Sequence, residues 1–171
     1  MGNRDMDSYD PGAGGGGLWE ADIALQWALS GRWVLNNQGI ATFLTRDDDR
    51  DVTPVALRDD QAAAARCSHF ISIHCNAASP NAHGTETFYR DANDRPWALN
   101  VQQAALKSMG LRDRGIKLES QSQHARLAVL NFAPPACLLE LGFITNKHDR
   151  AMMVTRECRI AFWEAIAEAL S

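Results

Sequence analysis

The sequence predicts an α/β fold carried by strands of the parallel kind, and three observations predict it. Phe70-Ile71-Ser72-Ile73 is a short apolar, partly β-branched run typical of a strand buried on both faces. Ala136 to Leu139 is a second such run, and both lead directly into polar residues, His74-Cys75-Asn76 in one case and Glu140 in the other. Around them helical patterns alternate with extended ones, the order expected when helices cover a sheet.

The totals bound the reading. With 171 residues, 46% of them hydrophobic, the chain can bury one sizeable core, and residues 1-171 are expected to form a single domain. A net charge of -4 argues against nucleic acid or an anionic membrane surface as partner, because both require a clustered basic face. No apolar run approaches the roughly 20 residues of a spanning helix, and the N-terminus lacks the basic and apolar regions of a signal peptide. Cys67, Cys75, Cys137 and Cys158 are scattered without CxxC spacing, so they read as small core residues suited to a reducing compartment.

In chain order, residues 1 to 17 are polar and then glycine-rich, and read as a loop. The glycine run lacks both the preceding strand and the Gly-Lys-Ser/Thr of a phosphate-binding loop. Leu18 to about Asn37 suits a helix whose Asp22, Gln26 and Ser30 form a narrow polar stripe. Glu20 lies about 200° from Asp22 on that helix, on the side of Ile23, Ala24 and Trp27. A carboxylate is therefore aimed inward. It is either a first-turn glutamate facing the helix dipole or the partner of a cation or metal, and its apolar neighbours favour the partner.

Ile40 to Thr45 is read as a short strand, followed by a charged loop in which Asp47, Asp48 and Asp49 lack the glycine and terminal glutamate of a calcium site. Pro54 is expected to open a helix running to about Arg66. Beyond Asn76, Thr85 to Tyr89 alternates like a strand, and Asp94 is placed to cap a helix to about Met109. Gly110 to Arg126 is polar and weakly patterned, a long loop that could border a groove. Leu127 to Leu130 and Ala136 to Leu139 read as strands, and Thr155 as the cap of a last helix with Ile160, Trp163, Ile166, Ala167 and Leu170 on one face.

Three polar residues thus stand in apolar surroundings: Glu20, His74 and Glu140. Parallel strands share their carboxyl edge, where ligands of open α/β sheets gather, so His74 and Glu140 are expected to face one crevice. His74 alone could equally be a hydrogen-bonded core histidine. Together, a histidine and a carboxylate as ligands plus a second, free carboxylate are the equipment of a hydrolytic zinc site. The free carboxylate would take a proton from water and deliver it to a leaving amine, which is amide hydrolysis.

Glu20 in Gly17-Leu18-Trp19-Glu20, Leu44-Thr45-Arg46, Phe70-Ile71-Ser72-Ile73-His74-Cys75-Asn76-Ala77, Gly84-Thr85-Glu86, Arg114-Gly115-Ile116-Lys117 and Leu138-Leu139-Glu140-Leu141-Gly142-Phe143-Ile144-Thr145-Asn146 follow one another in a familiar order. In order and spacing the chain resembles the zinc-dependent N-acetylmuramoyl-L-alanine amidases, cell-wall hydrolases that cut between muramic acid and the first L-alanine of the stem peptide. The resemblance implies a three-layer αβα domain around a mainly parallel twisted sheet. It also implies that Glu20 and His74 are Zn2+ ligands, Glu140 the catalytic carboxylate and peptidoglycan the substrate.

The departure is at the start. The family opens with a strand ending in Gly-His-Gly-Gly, whose histidine is a zinc ligand, followed by Asp-Pro-Gly-Ala. Asp10-Pro11-Gly12-Ala13 is present, but that strand is missing and no histidine precedes His69. Either the chain begins downstream of its natural start, which the intact remaining residues favour, or the site is naturally incomplete. His69, His83, His124 and His148, or Asp5, Asp7 and Asp10, are the other donors on offer.

The leading expectation is a peptidoglycan amidase, monomeric, acting on the bacterial cell wall in the periplasm. Its size, with neither an export signal nor a wall-binding module, fits a phage lysis enzyme made in the host cytoplasm, or a catalytic module separated from its signal. The alternative is a catalytically silent homologue that binds peptidoglycan as a regulator. A zinc peptidase acting on ordinary peptides shares the chemistry and differs in its groove.

Overall fold

The computed structural model describes residues 11–48 and 57–171. Its first elements are two short paired strands, β1 (Gly14–Gly15), where the sequence suggests a loop, and β2 (Leu18–Trp19), where it suggests the start of a helix. Helix α1 (Glu20–Asn37) starts at the end of that hairpin, two residues later than its apolar pattern implies. Then come α2 (Arg58–Ala64), β3 (Phe70–Asn76), β4 (Thr85–Tyr89), α3 (Arg95–Met109), β5 (Asp113–Leu118), β6 (Ala136–Phe143), α4 (Lys147–Val154) and α5 (Arg156–Leu170).

Strands β3 to β6 form one sheet in the order β3-β6-β4-β5. β3 with β6 and β4 with β5 are parallel, and β4 with β6 is antiparallel, so the mainly parallel sheet of the sequence reading is two parallel pairs joined by one antiparallel seam. Alternation along β6 divides the layers. Cys137, Leu139 and Leu141 join the larger core with Ile23 and Trp27 of α1, Val101 and Ala105 of α3 and Phe162 and Ile166 of α5. Ala136 and Leu138 face the other way, onto Phe88, Ala62 of α2, and Val129, Leu130 and Phe132. Helices on one face and α2 with a 3₁₀ turn on the other make the three layers.

Several expectations fail for local reasons. Ile40 to Thr45 forms no strand; a cavity of about 230 Å³ lies between it and the β3 edge, and neither has a strand partner there among the described residues. The segment Gly110 to Arg126 is not one loop: it holds β5, whose Arg114 and Lys117 pair with Glu86 across the sheet, and a 3₁₀ turn at Glu119–Gln121. Leu127 to Leu130 is not a strand but leads into a second 3₁₀ turn, Ala128–Asn131. Pro54, expected to open α2, and Asp49 lie outside the described residues.

The helix caps also differ. Asp94 occupies the cap position of α3, yet its carboxylate accepts from Arg90 N and Ala136 N, tying the helix start to the adjoining strands. Helix α4 was not legible as a separate element; Asn146 caps it by accepting from His148 N and Asp149 N. Asp149 then accepts from Gly84 N and Phe143 N, which fixes the ends of β4 and β6. The four cysteines are free thiols, as expected, and no described helix is long and apolar enough to cross a membrane.

Candidate active site

The two strand motifs meet in the sheet. His74 of β3 and Glu140 of β6 are register partners, and Glu140 is also the partner of Glu86 on β4. Three polar residues therefore form one row across neighbouring strands, on the face that carries Ala136 and Leu138. Neither strand stops at its polar residue, since β6 continues to Phe143; a register shift between His74 and Asn76 occurs where the row is built. Such irregularities re-aim side chains near functional sites.

Glu20 comes from outside the sheet. As the first residue of α1 its backbone N–H donates to Ala13 O at 2.8 Å, which folds the glycine-rich segment back over the helix start. Its Oε2 accepts from Ala13 N at 2.9 Å, and its Oε1 meets His74 Nδ1 at 2.8 Å and Cys75 N at 3.3 Å. Gly12 is required at this approach: its φ is +66°, and a Cβ there would collide with the Glu20 carboxylate. His74 Nε2 lies 3.0 Å from Ser72 Oγ.

The charges are set by these contacts. Burial raises the Glu20 carboxyl, but hydrogen bonding to His74 and the imidazolium charge, with the backbone donors, hold it below its ordinary value. Burial lowers His74, yet the hydrogen bond to Glu20 and the charges of Glu140 and Glu20 hold its imidazole above the ordinary value. Glu140 differs: burial, against the pull of His74 and with the repulsion of Glu20 and Glu86, pushes its carboxyl up to about 7. Its Oε2 is buried without a hydrogen-bond partner. Burial and the nearby carboxylates push the Cys75 thiol well up, so it is no thiolate nucleophile at neutral pH.

Two carboxylates, one held ionised and one poised near neutrality, flank an imidazole. That is a pair of acid–base roles separated by environment. The donor chemistry also suits a zinc ion: an imidazole nitrogen and a carboxylate oxygen face each other, beside a buried carboxylate atom left unpaired. Among the described residues no group of three or more His, Cys, Asp or Glu is arranged to hold a metal. His69 lies against Trp97, His83 Nδ1 contacts Asn81 O, and His148 sits in the first turn of α4. Asp5, Asp7 and Asp10 lie outside the described residues.

Glu86, Arg114 and Lys117 stand in the sequence motifs, but nothing in the sequence alone assigns them a role. Glu86 is buried; its Oε1 accepts from Asn76 Nδ2 at 3.0 Å, and its Oε2 from Arg114 Nε at 2.7 Å and Lys117 Nζ at 2.5 Å. The signal available was an acidic residue inside the alternating run Thr85 to Tyr89, whereas Glu140 stood out as the polar residue closing an apolar run.

Comparison with known proteins bears on the family and the fold. Residues 7–171 match the family model described as N-acetylmuramoyl-L-alanine amidase. The chain is 32% identical over 166 residues to the protein YqiI of Bacillus subtilis (strain 168), covering 94% of this chain and 77% of that one. It is 34% identical over 158 residues to the N-acetylmuramoyl-L-alanine amidase LytC of the same organism, covering 89% of this chain but 30% of LytC. Its fold superposes on the catalytic domain of CwlV, an N-acetylmuramoyl-L-alanine amidase from Bacillus (Paenibacillus) polymyxa var. colistinus, with a TM-score of 0.83 at 27% identity, covering 94% of this chain and 89% of that domain. The row of His74, Glu140 and Glu86 and the Glu20 contact therefore sit in a chain that belongs to the N-acetylmuramoyl-L-alanine amidase family.

Proposed function

We propose that the chain hydrolyses peptidoglycan at the amide between N-acetylmuramic acid and the L-alanine of the stem peptide, with Glu140 as the proton carrier and Glu20 and His74 as holders of a zinc ion. The observation that carries the reading is Glu140: a carboxyl with a pKa of about 7 and an unpartnered buried Oε2, beside His74 in the register of a family amidase fold.

In the metal-free chain Glu140 is present both ionised and protonated near neutral pH, and its unpartnered Oε2 is the atom that would take a proton from an attacking water and return it to the departing alanine nitrogen. Glu20 holds His74 through Nδ1 and keeps negative charge at the site over the working range. Zinc held by these two residues would polarise the scissile carbonyl and make water a nucleophile near neutral pH. The Glu20 and His74 donors and the orphaned Glu140 oxygen support that assignment. The silent-homologue reading has less support, because a binding surface alone has no need of a buried, unpartnered carboxylate oxygen in one row with His74.

The test is digestion of purified peptidoglycan with and without added zinc, followed by product analysis. New L-alanine amino termini with intact glycan strands are the expected outcome. Cleavage only within the peptides would favour the peptidase reading, and binding without cleavage the silent one.

A further inference from the structure

The cationic pair beside Glu86 is not absorbed by this mechanism. Arg114 and Lys117 leave β5 and both reach one oxygen of Glu86, which stands in register opposite Glu140. The Glu86 carboxylate is saturated: one oxygen takes Asn76, the other both cations. Two positive groups share this one carboxylate, so Glu86 by itself neutralises only one of them.

The geometry keeps the pair accessible. The Arg114 guanidinium rests over the Phe143 ring, 4.9 Å from its centroid, while its Nε is bound to Glu86. A planar group fixed along one edge and one face presents its remaining edge, and neither Nη atom of Arg114 donates to a described residue. The Arg114 and Lys117 side chains are 29% and 27% exposed, whereas Glu86 is 5% exposed. Solvent, and hence a ligand, reaches the cations and not their anchor. A preorganised guanidinium edge beside an ammonium is a receptor for a carboxylate.

The proposed substrate carries its charge on one side only. The muramoyl carboxyl is consumed in the scissile amide, so the acidic groups near that bond belong to the stem peptide. The nearest is the α-carboxylate of the second residue, a glutamate linked onward through its side chain. Strands lie about 4.8 Å apart, and one residue spans about 3.8 Å between Cα atoms. The cations, leaning from β5 toward Glu86, stand one to two strands from Glu140, which matches a group one residue beyond the scissile bond.

We propose that Arg114 and Lys117 are specificity-determining residues that bind a carboxylate of the stem peptide, that of the second residue, so that stems with a free carboxylate there are preferred over stems amidated there. This rests on the amidase reading above. Glu86 is then a positioning residue that holds both cations beside the reaction centre.

The test uses the full chain with four soluble N-acetylmuramoyl tripeptides, carrying glutamate or its amide at position two and a free or amidated acid at position three. Cleavage is followed by kcat/KM, and binding separately by calorimetry at a pH where turnover is negligible. The expected result is that amidation at position two lowers kcat/KM and affinity by at least about tenfold, and that Arg114→Gln and Lys117→Gln bring the acid-to-amide ratio toward one. A preference set by position three instead, or equal handling of acid and amide, overturns the proposal while leaving the amidase reading intact. Acid preference in binding with no cleavage at all overturns the amidase reading and upholds the carboxylate site. Loss of both signals in wild type overturns both. The substrate comparison on the wild-type chain needs no variant to fold, and melting curves of the variants separate misfolding from altered preference.

Discussion

His74 Nδ1 stands 2.8 Å from Glu20 Oε1, joining the sheet to the first residue of α1 across 54 positions of chain. The contact depresses Glu20 and raises His74, and the two shifts act in opposite pH directions. Glu20 stabilises the fold above its ordinary value of 4.5 and loses this as pH falls through its lowered folded value. His74 contributes fully below its ordinary 6.5 and loses it as pH rises through its raised folded value. In metal-free protein Glu20→Gln is therefore expected to cost about 1–3 kcal/mol near pH 5.5 and less near pH 9. Thermal melts with chelator present, at both pH values, check it; an equal loss at both would mean the pair does not carry the effect.

Glu140 gives the opposite sign. Its carboxyl is raised from 4.5 to about 7, so the fold binds the proton more tightly than the unfolded chain and loses stability as pH rises through that window. Glu140→Gln removes the ionisation and is expected to stabilise the metal-free chain at pH 8 by at most about 3 kcal/mol, with little change at pH 4. Turnover should fall by about 10²–10⁴-fold in the same variant. A variant as active as wild type would remove Glu140 from the chemistry.

The site was legible because each of its members breaks a pattern. Glu20 sits on the apolar side of a helix, and His74 and Glu140 interrupt β-branched or leucine-rich runs. What was not legible depends on partners remote in sequence. β5 reads as polar because Asp113 is satisfied by Gln102 Nε2 and by Gly115 N, and Arg114 and Lys117 by Glu86. Ile40 to Thr45 carries strand residues, but a strand needs a neighbour, and in the described structure a cavity lies where one would pair. Leu127 to Leu130 has the apolar content of a strand, yet Arg90 claims the Leu127 carbonyl and Glu119 its N–H, which leaves no ladder to form.

Metal content separates the roles proposed for the three residues. Glu140→Gln is expected to retain zinc at the wild-type stoichiometry, because its role is to carry a proton. His74→Ala should lose zinc and activity together, since removing one of two protein donors weakens the site by far more than tenfold. Elemental analysis after dialysis against metal-free buffer reads both variants. Equal zinc in the His74 variant would take that residue out of the coordination shell.

The Arg90–Glu119 pair should hold the segment that closes the second core. Arg90 donates from Nε to Glu119 Oε1 at 2.6 Å and from Nη2 to Oε2 at 2.9 Å, and also reaches Asn131 Oδ1 and Leu127 O. Glu119 Oε2 accepts in addition from Leu127 N at 2.8 Å, so one buried carboxylate ties both 3₁₀ turns to the end of β4. Glu119→Ala strands the guanidinium and an amide at once and is expected to cost about 2–4 kcal/mol. The hydrogen bond from Arg90 lowers the Glu119 carboxyl, so its contribution is present above the ordinary 4.5 and is lost as pH falls through the folded value. Urea titrations of wild type and variant at pH 7 and pH 3 should show a large difference at the first and a smaller one at the second. A difference that does not shrink with acid would assign the stability to packing around Val129 and Leu130 rather than to the ion pair.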